Sequence, residues 1–86
     1  MKRYIKATTG KPVLDNIQTE WTDIDNGIKF TVYSSDGDVL FEEVFDFNDV
    51  DPDAVYDSAA DMAALVLSQT YDLSDNVQQA LNPDNF

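Results

Sequence analysis

The stretch Trp21-Thr22-Asp23-Ile24-Asp25-Asn26-Gly27-Ile28-Lys29-Phe30-Thr31-Val32-Tyr33 decides the fold. Asn-Gly between two runs of β-branched and aromatic residues is a strong hairpin signal. Both residues tolerate the positive φ angles that a type I′ turn demands. Ile28 to Tyr33 has the composition of a strand, and Ile17 to Ile24 nearly alternates apolar with polar side chains. With Asn26-Gly27 as a two-residue loop, Asp25 pairs with Ile28, Asp23 with Phe30 and Trp21 with Val32. Trp21, Ile28, Phe30 and Val32 then share one face.

On the C-terminal side of the hairpin, Ser35-Asp36-Gly37-Asp38 is a second turn and Val39 to Phe47 a third strand, dense in Val and Phe. A two-residue Asp36-Gly37 loop puts Phe41 and Phe45 on the core face, together with Glu43. A three-residue loop with a bulge at Gly37 puts Leu40 and Val44 there instead, with Glu42 in the awkward place. Both registers remain open from sequence. On the N-terminal side, residues 3–8 form a candidate fourth strand that Gly10 and Pro12 end.

After Phe47 the period changes from two to 3.6. Asp51-Pro52 has the form of an N-cap followed by proline at the first helical position, with Asp53 in the first turn. Val55, Ala59, Met62, Ala63 and Val66 recur at helical spacing over about 52–70, and Ala60, Ala64 and Leu67 widen the buried face. Ser74 caps a short helix over about 74–81, with Val77, Ala80 and Leu81 inward and Asn82-Pro83 as its stop. The expected fold is α+β, in one domain over 1–86. It is a small antiparallel β-meander of three to four strands (3–8, 17–24, 28–34, 39–47), with one long and one short helix packing on one sheet face.

Composition removes most chemistry. Neither Cys nor His occurs, which excludes disulfides, thiolate chemistry, zinc fingers and imidazole relays. No Gly-rich phosphate loop or nucleophile elbow is present, so no catalytic residue and no cofactor is assigned and the chain is expected not to be an enzyme. Asp49-Val50-Asp51-Pro52-Asp53 begins like a calcium loop, but Ala54 and Ala60 stand where such a loop needs Gly and Glu, and no metal is expected. No apolar run is long enough to span a membrane, and the basic start Met1 to Lys6 is followed by no hydrophobic run, so it is not expected to act as a secretory signal.

What remains is charge. Seventeen Asp and Glu against five Lys and Arg give a formal net charge of -12, which argues against direct binding of nucleic acid and for a basic partner. Residues 1–11 carry Lys2, Arg3, Lys6 and Lys11 and no acid; residues 12–86 carry every acid and Lys29 alone. Ten acids lie between residues 36 and 61 with no base among them: Asp36, Asp38, Glu42, Glu43, Asp46, Asp49, Asp51, Asp53, Asp57 and Asp61. On a helix, Asp53, Asp57 and Asp61 make one stripe with about 6 Å between neighbours. Alternate residues of a strand lie about 6.6 Å apart. Both spacings are broadly those of successive phosphates on one strand. Fourteen of the seventeen acids are Asp, which holds its charge near the backbone with few torsions to freeze on binding.

In its size, its ten-acid block and its lack of His and Cys, the chain resembles the small DNA mimics of phages and mobile elements. These include inhibitors of uracil-DNA glycosylase, anti-restriction proteins and anti-CRISPR proteins. The resemblance is compositional and covers about a third of the chain. It implies a non-enzymatic inhibitor, in the cytoplasm of a bacterial host, whose ten acids occupy the cationic groove of a nuclease or other nucleic-acid-binding protein. Two plainer readings stand beside it. One is an adaptor domain that binds protein through a sheet edge and exposed tyrosines, Tyr33 or Tyr56 among them. The other is a domain whose acidity serves solubility or a high-salt habitat.

Overall fold

The structure is a computed structural model that describes residues 10–82. Along the chain run β1 (Val13–Leu14), β2 (Ile17–Ile24), β3 (Gly27–Ser34), β4 (Val39–Asp46), α1 (Val55–Thr70), β5 (Asp72–Leu73) and α2 (Asp75–Ala80). β2, β3 and β4 form an antiparallel sheet in that order, and β1 pairs with β5 in a separate parallel ladder. The fold is the expected α+β meander with a long and a short helix. α1 packs against β4 and α2 against β2. The strand expected over 3–8 lies outside the described residues. The β1–β5 ladder, which no sequence pattern marked, is two residues long on each side and joins the chain before the sheet to the connector between the helices.

The hairpin closes one residue earlier than its sequence implies. Ile24 pairs with Gly27, so the loop is Asp25-Asn26 and not Asn26-Gly27. Asn26 carries the positive φ of 55°, and Gly27 is the first residue of β3. Gly27 is required for another reason: a Cβ there would run into the carbonyl oxygen of Phe45 on the neighbouring strand. Asp23 now faces Ile28 and Trp21 faces Phe30. Each strand residue is offset by two from the expected partner, an even number, so the apolar face is preserved.

The second turn joins parts of both expected registers. Ser34 and Asp38 close a three-residue loop, with Gly37 at φ 93°. A bulge at Leu40, between the pairs Tyr33–Val39 and Val32–Phe41, then returns β4 to the two-residue register. Phe41 and Phe45 are therefore buried, and Val44 is 52% exposed. Glu43 does lie opposite Phe30 on the core side, but β4 is an edge strand among the described residues and Glu43 stays exposed.

Phe30, Val32, Val55, Ala59, Ala63, Leu67 and Val77 are the most deeply buried members of one apolar cluster. Each large side chain there contributes about 1.5–3 kcal/mol on leaving water. Alanines at 59, 60 and 63 leave room for the sheet's phenylalanines, which is why α1 approaches β4 with its small-residue side. Met62 and Val66 were expected to point inward, but they are 39% and 40% exposed. The buried arc of α1 is centred on Ala63 and Leu67, so it turns Met62 and Val66 toward solvent.

Helix ends differ from expectation in an instructive way. Asp51-Pro52 does not start α1. The Asp51 carboxylate accepts from the Asp53 amide in an Asx turn, Ala54 donates to the Asp51 carbonyl, and the helix proper begins at Val55 without a side-chain cap. Ser74 caps α2 as its sequence position implies, accepting from the Val77 amide.

Candidate functional site

The ten-acid block is not one surface. Asp36 and Asp38 sit in the β3–β4 loop, at the opposite end of the sheet from the Asp25-Asn26 turn. Glu42 lies on the open face of the sheet and Glu43 on the covered side. Asp46, Asp49, Asp51, Asp53 and Asp57 gather where β4 ends and α1 begins, and Asp61 lies one helical turn further along α1. Asp53 precedes α1, so the expected three-residue helical stripe is two residues, Asp57 and Asp61, continued by a turn.

Antiparallel pairing adds two acids that the linear block left out. Asp46 faces Gly27, the Asn26 side chain donates to Asp46, and the Phe47 amide donates to the Asn26 carbonyl. Asp23 and Asp25 therefore stand at the same end of the sheet as Asp46 and Asp49. With Asp51, Asp53 and Asp57 they make an acidic pole of seven carboxylates. The available signal was the hairpin: any register that closes near Asn26 brings residues 23–25 beside the end of β4.

The acids divide by what their side chains do. Asp46 accepts from the Asn48 amide and from Asn26, and Asp51 closes its Asx turn; both shape the backbone. On the open face, Thr31 is fully buried between Glu20 on β2 and Glu42 on β4, and its hydroxyl donates to Glu42. Tyr33 donates to Glu20 at 2.8 Å, and Lys29 lies 3.7 Å from Glu42. That hydrogen bond, then desolvation, then the negative charges of Glu20 and Glu42 raise the Tyr33 phenol above its usual pKa. Two of the chain's three glutamates thus serve diagonal contacts on the sheet, for which Asp is too short. Asp23, Asp25, Asp49, Asp53, Asp57 and Asp61 are exposed.

The aromatic residues flank this pole from inside. Trp21 stacks on Phe30 with ring centroids 4.2 Å apart and meets Tyr56 edge-on at 4.7 Å. Phe30, Phe41 and Phe45 are core. Trp21 and Phe47 are half-buried, and Tyr56 is 42% exposed beside Asp57.

Among the described residues no three carboxylates come close enough together to hold a metal ion. The chain carries a formal net charge of -12, and the body measures 44 × 22 × 20 Å. No helix among the described residues is long and apolar enough to cross a membrane. Comparison with protein-family models, with curated proteins and with solved structures finds no match to this chain.

Proposed function

We propose that the chain is a non-enzymatic inhibitor that presents its acidic pole to the cationic groove of a nucleic-acid-binding enzyme in the bacterial cytoplasm. A CRISPR effector, a restriction enzyme or a DNA-repair enzyme has such a groove. The observation that carries this reading is the pole itself: seven carboxylates from two stretches of the chain, 23–25 and 46–57, meet at one end of the sheet, with no lysine or arginine of the described residues among them. Like charges repel, so this gathering lowers stability unless a partner neutralises it. A groove lined with Lys and Arg is such a partner and is steered toward the pole at long range.

The same surface gives less support to the adaptor reading. Among the described residues neither edge of the three-stranded sheet is paired, but the edge strands carry Glu20, Asp23, Glu42 and Glu43, and such charges discourage strand addition. The Tyr33 hydroxyl is occupied by Glu20.

The test uses the immobilised chain at low salt with lysate from phage-infected bacteria, eluted with duplex DNA and separately with salt. Release of a nucleic-acid enzyme by both eluents is the expected result. Reversal of Asp53, Asp57 and Asp61 to Lys is expected to abolish its inhibition while the domain stays folded. Undiminished inhibition by that folded variant refutes the assignment.

A further inference from the structure

α1 has an outer face that the core does not use. Its rows at i, i+4 are Asp57-Asp61-Leu65 and, beside it, Ser58-Met62-Val66. Met62, Leu65 and Val66 are 39%, 64% and 40% exposed, and together they form an apolar stripe one turn beyond the two acids. Leu65 also borders a groove of about 540 Å³ whose walls include Ala64, Tyr71 and Leu73. Lys11 and Ser68 also line it, and Lys11 donates to the Ser68 carbonyl at 2.8 Å. Nothing in the helix is basic, in its last turn or elsewhere.

We infer that this face docks a basic amphipathic segment of the enzyme that the chain inhibits. The segment would set apolar side chains on Leu65, Met62 and Val66, with Lys or Arg one turn away over Asp57 and Asp61. The inference rests on the reading of the chain as an inhibitor of a cationic protein, and it supplies what charge alone lacks. An acidic surface binds any cationic groove and is stripped by salt. An apolar anchor chooses among grooves and survives salt, because its driving force is water release from nonpolar surface.

Charge complementarity selects the occupant. A second copy of this chain brings another net -12; its bases other than Lys29 lie within residues 1–11, and its α1 has no Lys or Arg to lay against Asp57 and Asp61. A basic segment neutralises both acids. Met62, Leu65 and Val66 stand at i, i+3 and i+4, so they lie on one side of α1.

The probe is a pair of synthetic Leu/Lys peptides of about 18 residues, five helical turns. In one the leucines share a helical face; in the other the same residues are scattered. Each is titrated into the isotope-labelled chain at moderate salt and followed by amide chemical shifts. The amphipathic peptide is expected to bind about tenfold more tightly than the scattered one, a difference of one strong anchor. Its shifts should centre on Asp61, Met62, Leu65 and Val66. Leu65→Gln/Val66→Gln should remove that preference, and Leu65→Met should retain it. Both sites are exposed, and unchanged melting of each variant confirms the fold.

Equal affinity for the two peptides, or a Gln variant that keeps the preference, overturns the inference. So does a concentration-dependent dimer that Leu65→Gln dissociates, since the occupant is then a second copy. The two readings fail separately. Lost peptide preference with DNA-competed inhibition intact removes the anchor and leaves mimicry. A preserved preference in a chain whose inhibition ignores Asp53→Lys removes mimicry's charge requirement and leaves the anchor.

Discussion

Replacing Asp61 by alanine should make this protein more stable and less able to bind. Asp61 is exposed in the middle of α1, one turn from Asp57, and no basic residue of the helix offsets either charge. Removing one carboxylate relieves a like-charge pair of about 0.2–0.5 kcal/mol. Alanine also exceeds Asp in helix propensity by about 0.6 kcal/mol in a helix interior. The sum is about 1 kcal/mol, which for a domain of this size raises Tm by about 4–8 °C. Asp57→Ala is the internal control. It relieves the same repulsion and gains the same propensity, but it loses about 0.3–1 kcal/mol of favourable interaction with the helix N-terminus, because Asp57 lies in the first turn. Its gain should be about half or less. Thermal melts at low and high salt give both numbers, and the charge part alone should shrink with salt. A fall in Tm for Asp61→Ala, or equal shifts for the two variants, refutes the reasoning, since it requires a structural partner for Asp61. Affinity for a cationic partner should fall in both.

Three further outcomes follow from the same geometry. Gly27→Ala places a methyl against the Phe45 carbonyl and should destabilise by about 1–3 kcal/mol, read as a lower urea midpoint with unchanged slope. Tyr33 should titrate above the usual phenol range, and Glu20→Gln should bring it back toward that range in an alkaline absorbance titration. The folded pKa is raised, so the stability this phenol contributes is complete below the unfolded pKa of about 10 and is lost as pH rises through the folded value. Stability should also rise as the screening length drops from about 30 Å at 0.01 M salt to about 8 Å at 0.15 M, and a melt that is flat or falls over that range counts against a body dominated by self-repulsion.

The sheet was legible because its signals are local. Ile28 to Tyr33 can only be a strand, and alternation places Phe30 and Val32 inward whichever even offset the hairpin adopts. The turn was misread at Gly27 because two different demands select glycine. Positive φ is visible in a dipeptide, whereas close approach to the Phe45 carbonyl exists only once β4 is in place. Asp51-Pro52 met the same limit: an Asx turn and an N-cap draw on the same residues, and the packing of Val55 decided where the helix began.

For the candidate site, sequence alone determined how much negative charge there is and that it is mostly Asp. It also determined that nothing in the chain offers thiol or imidazole chemistry. Composition is additive and needs no fold. Tertiary structure decided which charges act together. Strand pairing put Asp36 and Asp38 at one end of the sheet and Asp46 to Asp57 at the other, set Glu42 and Glu43 on opposite faces, and recruited Asp23 and Asp25 from outside the block, because chain distance and spatial distance part company at every antiparallel turn. It also decided which side of α1 is buried. The helical period allowed Met62 and Val66 inside, but the alanine side fits the sheet's phenylalanines more closely. An apolar stripe beside Asp57 and Asp61 was thereby left facing water.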